Sequence, residues 1–370
     1  MQNQFNQQIN NPTTASTQNQ ISPKCNGCGA NLGYNPDKQG LYCAQCGAVT
    51  KVETKLAARF PISELNSKSA PRWTETKVFS CNSCGAKEVV PGHEMASTCA
   101  FCGSPNIAPS DDIAGLKPNA VIPFKISKEK AVEAVCKWAK RKVFAPNRFK
   151  KNVVPTDVDG VYAPAFMFDA ITMSQYSGVL SRVETFTTFV NGRAVVSSRV
   201  VRFPVNGFHD GNFNNIMIRA CDTIAQNSLN KIQPFDNQNI KEFNDAYLFG
   251  YVAGQHKRDG MECWAAARGE IENNIRRQIL RNYPGCSVVS LNVGVTYKAA
   301  SYRYALIPIY VGHFTHRNKL YNFYINGDTC RIVGKTPISP VKVGLLVGGI
   351  VLGVAGVLTF IIALLNGFWV

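Results

Sequence analysis

Apolar and polar positions change period several times along this 370-residue chain, and the changes divide it into segments of different character. The clearest is "VGLLVGGIVLGVAGVLTFIIALL", residues 343–365, twenty-three consecutive uncharged and mainly apolar positions. A helix needs about 20 such residues to cross about 30 Å of hydrocarbon. The run therefore predicts a membrane-spanning helix, with Phe368 and Trp369 as an aromatic anchor beyond it. A buried core helix is the competing reading, but core helices seldom reach this length without a charge.

Upstream the periods are those of a mixed fold. "VYAPAFMFDAITMSQYSGV" alternates as a long strand, and "TFTTFVNGRAVVSSRVVRF" reads as a hairpin around Asn191-Gly192. "YALIPIYVGHFTHRNKLYNFYINGDTCRIVG" predicts three closing strands. Helical spacing returns in "GMECWAAARGEIENNIRRQILRNYPG", with Asp259 as its cap and Pro284-Gly285 as its stop. A second helix, in "ISKEKAVEAVCKWAKRKV", starts after Ser127 and has Val132, Val135, Cys136, Ala139 and Val143 on one side. Together these predict an α+β domain with an antiparallel meander. Residues 1–22 have no such period: eleven are Asn or Gln and none is charged, which predicts a flexible tail.

Thirteen cysteines change the picture of the N-terminal third. Residues 25–47 and 81–103 share the pattern C-x2-C-G-x13-C-x2-C-G at an offset of 56, without a gap, and read as two tandem zinc ribbons. The ligands so defined are Cys25, Cys28, Cys43 and Cys46, then Cys81, Cys84, Cys99 and Cys102. Two thiolates separated by two residues reach one ion when the backbone turns tightly. Gly29, Gly47, Gly85 and Gly103 stand where a positive φ turns amides toward sulfur. Four thiolates favour tetrahedral zinc, with iron as the competitor, and a full tetrahedron leaves no position for substrate. Two structural Zn2+ ions per chain are expected. His93 aligns with Asp37 of the first copy and reads as a turn residue. The odd remainder, Cys136, Cys221, Cys263, Cys286 and Cys330, does not form a disulfide framework and reads as small core residues.

The net charge of +16 raises the question of nucleic acid, and its distribution argues against it. Residues 23–116 carry nine basic and eight acidic side chains, a net of +1, whereas residues 117–151 carry eleven and two, a net of +9. Displacing counterions from phosphates needs Lys and Arg on the reading surface. The cationic candidates Lys130, Lys137, Lys140, Arg141 and Lys142 lie instead on a helix between the metal sites and the next domain. They suit an anionic lipid surface or an acidic partner. Arg317, Lys319, Arg331, Lys335 and Lys342 precede the apolar run and no charge follows it, so the positive-inside rule predicts a cytoplasmic body on a single-pass cell-membrane anchor. Within that anchor Gly344/Gly348 and Gly349/Gly353 are small-x-x-x-small pairs that allow helix association.

No catalytic signature appears. "GDTCRIVGKT" lacks the glycine spacing of a phosphate loop, His209, His256, His313 and His316 show no metalloprotease spacing, and there is no G-x-S-x-G. A non-enzyme is expected. The organisation expected is a 1–22 tail, one ribbon over 23–52, a linker over 53–76, a second ribbon over 77–116, a basic helical segment over 117–151, an α+β domain over 152–340 and the membrane helix over 343–365.

Residues 81–142, "GVYAPAFMFDA", "QPFDNQNIKEFNDAYLFGY" and "YALIPIYVGHFTHRNKLYNFYINGDTCRIVGKTPIS" resemble the bacterial TFIIB-type zinc-ribbon membrane proteins, most specifically at "KPNAVIPFKI" and "NGDTCRIVGKTP". Members of that family often carry a primosomal or helicase-like label, which the missing nucleotide loop contradicts here. The resemblance implies a membrane-tethered component of envelope-stress or membrane-maintenance systems. Its implied partners are SPFH/stomatin-like proteins, proteins of the phage-shock A type, and a homologous zinc-ribbon membrane protein. The expected function is a membrane-anchored cytoplasmic zinc-ribbon adaptor. The alternative is a membrane-associated nucleic-acid binder using the ribbons and the basic segment.

Overall fold

The computed structural model describes residues 23–65, 76–91, 98–110, 116–152, 158–316 and 319–365. The Asn/Gln-rich tail, His93 and the Phe368/Trp369 anchor lie outside the described residues. A three-stranded antiparallel sheet of β1 (Leu32–Asn35), β2 (Gly40–Cys43) and β3 (Val49–Lys51) comes first. The other described strands join one twelve-stranded mixed sheet. Short strands supply its flanks: β4 (Phe60–Pro61), β5 (Thr76–Cys81), β6 (Lys87–Pro91), β7 (Ile107–Ser110) and β8 (Ala120–Val121). Helices α1 (Lys128–Arg141) and α2 (Asn147–Asn152) lead into the long strands β9 (Val158–Val190) and β10 (Arg193–Arg219). Then follow α3 (Gln226–Ile232), β11 (Lys241–Glu242), β12 (Val252–Gly254), α4 (Gly260–Arg281), β13 (Ser287–His316), β14 (Lys319–Asn326), β15 (Ile332–Gly334) and α5 (Pro340–Leu365).

The hairpin predicted at Asn191-Gly192 forms, with both residues at positive φ (54° and 76°) as a two-residue turn requires. Its length was not predicted. β9, β10 and β13 run 33, 27 and 30 residues, and β13 lies antiparallel against β9 from Val158 to Ser181. Strands this long accumulate twist, and three irregularities absorb it: at Phe213/Ile216, where Asn215 adopts φ 56°, at Val288/Ser290 and at Tyr297/Ala299. The expected antiparallel sheet is instead mixed, because β8 runs parallel to β13 and β12 parallel to β9. Both are two- to three-residue strands delivered by long connections, which a hairpin-based reading does not see.

Helix α4 follows its sequence signals. Asp259 accepts from the Met261 amide at 3.3 Å, and Trp264, Ala267, Ile271, Ile275 and Ile279 are buried at three- and four-residue spacing. They pack on Phe166, Phe168, Tyr176, Phe213 and Leu291, one face of the long strands. Asp259→Ala should destabilise the protein by about 1 kcal/mol, measured as a lower urea midpoint at unchanged m-value. Ser127 is the N-cap of helix α1, although its hydroxyl makes no capping bond.

Of the expected linker over 53–76, residues 53–65 do more than connect. β4 pairs with β13 at Ser301 and Tyr302, and Arg59 reaches Asp169 of β9 at 2.7 Å. The cysteine-bearing units are likewise built into the body. Tyr34, Leu41 and Cys43 share a core with Phe124, Val135, Tyr162 and Tyr310. Cys81, Cys99 and Phe101 share another with Val161, Ile224, Leu229 and Ile307. Of the five scattered cysteines, Cys221 and Cys263 are buried and Cys136, Cys286 and Cys330 are half-buried.

Candidate metal centres and membrane face

Each four-cysteine group is assembled from two turns of the same construction. In all four turns, the glycine amide bonds back to the carbonyl of the first cysteine, as Gly29 N–H to Cys25 O at 2.8 Å and Gly103 N–H to Cys99 O at 2.8 Å. The first-cysteine amide in turn bonds to the residue five on, as Cys25 to Ala30 and Cys99 to Ser104. Closing that loop requires a left-handed residue, and Gly29, Gly47, Gly85 and Gly103 have φ of 72°, 77°, 71° and 68°. At Gly103 there is a second reason: a Cβ would overlap the His313 ring.

The sulfurs converge. Within each group all four Sγ atoms lie within 4.8 Å of one another, with Cys25–Cys46 at 3.4 Å, Cys28–Cys43 at 3.5 Å, and Cys81–Cys102 and Cys84–Cys99 at 3.7 Å. A tetrahedron with metal–sulfur bonds of about 2.3 Å has edges of about 3.8 Å. The residues therefore fit an ion, and the two groups can hold two. One cysteine of each first-turn pair is buried and its partner faces solvent, Cys25 against Cys28 and Cys81 against Cys84. Amides of Gly27 and Cys28 hold the Cys25 thiol below its usual range, and the Cys46 amide helps bring Cys43 down to about 6. In the second group burial pushes the Cys99 thiol up, with the Glu88 charge adding to it. A divalent cation reverses that balance.

Glu88 was not legible as a site residue. It comes from β6, is fully buried, and accepts from the Ala100 amide at 2.8 Å, bracing the turn that carries Cys99. Its only sequence signal is an acid next to two valines in a short strand, Lys87–Pro91. The cavity beside this group, about 330 Å3, is lined by Cys84, Phe101, Cys221, His256 and Lys257 among others. The histidines are dispersed: His209 bonds Gln278 at 2.8 Å, His256 bonds Tyr304 at 3.3 Å and His313 abuts Gly103. Among the described residues none joins a four-cysteine group.

The basic candidates do not form one uniform surface. Lys130 pairs with Asp37 at 2.6 Å, tying α1 to the first cysteine unit, and Lys137 pairs with Glu133 at 2.6 Å on its own helix. Lys142 lies over the Trp138 ring at 5.0 Å. Lys140 and Arg141 are exposed at the end of α1. That end meets the base of the apolar helix. Ser339 N–H donates to Phe144 O at 2.8 Å, and Lys342 Nζ donates to Ala145 O at 2.8 Å and Asn147 Oδ1 at 2.9 Å. Val143, Phe144, Ile338 and Val341 are exposed around this junction.

Helix α5 is not a core helix. Its segment Pro340–Ala363 is long and apolar enough to cross a membrane, and none of its most apolar stretch is buried against the body. Gly344, Gly348, Gly349 and Gly353 have open space where a Cβ would stand. At about 100° per residue the two glycine pairs fall on different sides of the helix.

The fold and its sites thus define a chain with two four-cysteine groups built into a mixed sheet and one membrane-length helix. No family model matches the sequence, and no solved structure matches it. It is similar to the "Uncharacterized protein YdjG" of Bacillus subtilis (strain 168), 28% identical over 355 residues that make up 94% of this chain and 99% of the relative. The likeness therefore extends well beyond the cysteine repeats.

Proposed function

We propose that this protein is a membrane-anchored adaptor. Two structural zinc ions, each in a ribbon-like four-cysteine unit, brace a rigid cytoplasmic body that recruits partner proteins, and α5 holds the body at the bilayer. The observation that carries the reading is the junction at Lys342, whose ammonium is bonded to the backbone between α1 and α2 at 2.8 Å. It couples the body to the base of the anchor, and in this reading Lys140 and Arg141 lie at headgroup level. Basic residues there gain about 1 kcal/mol each at an anionic leaflet. Zinc in this reading supplies folding energy and no chemistry. The resemblance to TFIIB-type zinc-ribbon membrane proteins makes SPFH/stomatin-like and phage-shock A type proteins the partners to look for, in envelope stress or membrane maintenance.

Affinity purification of the full chain from gently solubilised membranes tests this. A stoichiometric protein partner, retained in moderate salt, is the expected result. Submicromolar DNA or RNA binding by the purified full chain, falling steeply with salt and abolished by neutralising Lys140, Arg141 and Lys142, would replace the adaptor with a nucleic-acid binder.

A further inference from the structure

Beyond the point where the body ends, β9, β10 and β13 continue as an arm. One face of the arm is covered: α4 packs on it, His209 bonds Gln278 of that helix at 2.8 Å, and Tyr176 bonds Tyr283 just past the helix end at 3.1 Å. The other face is covered only at its root, where Leu229 of α3 shares a core with Ala165, Met167 and Met217. Farther out, from Ile171 to Ser177, the side chains of β9 on this face stand exposed. The alternation holds from 171 to 177, where Ile171, Met173, Gln175 and Ser177 of β9 are exposed between buried Thr172, Ser174 and Tyr176; beyond it Val179 is half-buried, Ser181 is buried and Val183 is exposed again. β10 repeats it, with Arg202, Pro204, Asn206, Phe208, Asp210 and Asn212 all on the open side. Several large apolar side chains stand on this bare face, including Phe208 at 73% exposure, Val200 at 66% and Val183 at 65%. A sheet with apolar side chains on both faces is stable when both are covered.

We propose that the bare face of the arm pairs with the same face of a second copy, antiparallel, about a two-fold axis crossing Ser177 and its register partner Asn206. The face is complementary to itself about that point. Asn206 pairs with Ser177, so Arg202 and Asp210 lie four residues on either side of the axis, as do Ser181 and Met173 on β9. The two-fold sets Arg202 over the partner's Asp210, and Asp210 over the partner's Arg202. It sets Phe208 over the partner's Pro204, and Ile171 over the partner's Val183. Arg202 and Asp210 are the charged side chains that β9 and β10 place on this face between registers 171 and 183, and neither is in an ion pair among the described residues. Their charges cancel, and β13 adds a single charge, exposed Lys298 at the bulge beside Thr172 and Ile171, so the three strands are close to neutral and fit a copy of the same face better than an anionic bilayer. Three strands at about 4.8 Å spacing over thirteen residues give a footprint of about 600 Å2 per copy. Two such faces reach the lower bound for a stable interface, about 1,200 Å2 in total. The free edge of β10 is a poorer route to pairing, because Pro204 lacks an N–H and the Asn215 bulge breaks the ladder.

A charge exchange tests the pairing in the detergent-solubilised full chain, with mass measured across a dilution series. Arg202→Asp alone and Asp210→Arg alone should each weaken the dimer about tenfold or more, since each sets like charges opposite one another. The double variant Arg202→Asp/Asp210→Arg should restore it. Phe208→Asp should also weaken it, while Gly348→Leu should leave it intact. Metal content and circular dichroism of every variant establish that the fold is retained. A chain that stays monomeric, a double variant that fails to recover, or a dimer lost with Gly348→Leu would each overturn the proposal, the last assigning association to α5. A dimer that survives both single charge reversals would do so as well. The adaptor reading stands or falls separately, on partner capture.

Discussion

Cys99→Ala should lower the metal content from two ions per chain to one and remove most of the protein's resistance to urea. Two features of the structure set the size of the effect. Cys99 is fully buried in the core that also holds Val161, Ile307 and Ile309 of the long strands, so its loss opens the centre of the molecule. The unit it belongs to is also woven into the main sheet, β5 with β6 and β7, β6 with β12, and β12 with β9. Structural zinc contributes about 10–16 kcal/mol of apparent binding free energy in small fingers. A folded domain as a whole has a margin of only about 5–15 kcal/mol. Losing one ligand of four therefore consumes much of that margin. Cys43, though equally buried, should cost less when replaced by Ala, because β1, β2 and β3 form a separate sheet that no strand pairing joins to the main one; it is attached by side-chain packing around Tyr34, Leu41 and Cys43, by the Lys130–Asp37 pair, by Gln39 Nε2 on Phe124 O at 2.9 Å and by the backbone bond from Tyr34 N–H to Phe249 O at 2.9 Å. Metal analysis and urea unfolding of the two variants side by side check both statements. Equal destabilisation, or two ions retained by Cys99→Ala, would sink the account of the second site as the stronger brace.

What was legible in the sequence divides along the range of the interactions involved. Cysteine spacing, the glycines after each pair, the cap and stop of α4, the Asn191-Gly192 turn and the apolar run of α5 are local signals, and each has its counterpart in the structure. The merging of the cysteine units with the body was not legible. It depends on contacts such as Tyr34 with Tyr247 and Phe124 with Tyr251, between side chains far apart in the chain. Nor was the arm. Its outer half alternates like any half-buried strand, and nothing local shows that the alternation persists in register across three strands. Lys342 illustrates the limit most clearly: in the sequence it counts as one more positive charge before the membrane helix, whereas its role follows from carbonyls almost two hundred residues earlier.

Deleting residues 343–370 should transfer the protein from the carbonate-resistant membrane pellet to the supernatant, a change of about tenfold or more in partition, with metal content still at two ions. Helix α5 runs 26 residues, about 39 Å at 1.5 Å per residue, enough to span about 30 Å of hydrocarbon. Because none of its apolar window is buried against the body, removing it uncovers no core and leaves the four-cysteine groups undisturbed. The truncation keeps Lys342 and its bonds to Ala145 and Asn147, so the cationic junction survives it. A weak residual attachment is therefore expected, released by about 0.5 M salt as screening shortens to a few ångströms (about 3 Å at 1 M). Lys140→Glu/Arg141→Glu in the truncated chain should abolish that attachment. Two different chemistries are separated in this way, since carbonate leaves only inserted protein in the pellet and salt acts only on charge. In the full chain, Leu352→Arg offers an intermediate case, placing one cation near the middle of the span at a cost of about 2.5–3.5 kcal/mol on the insertion scale. It should weaken membrane integration less than the deletion does. Carbonate-resistant pelleting of the truncated chain would show that a segment other than α5 enters the bilayer, and the exposed Val143 and Phe144 beside the junction are the residues to test next.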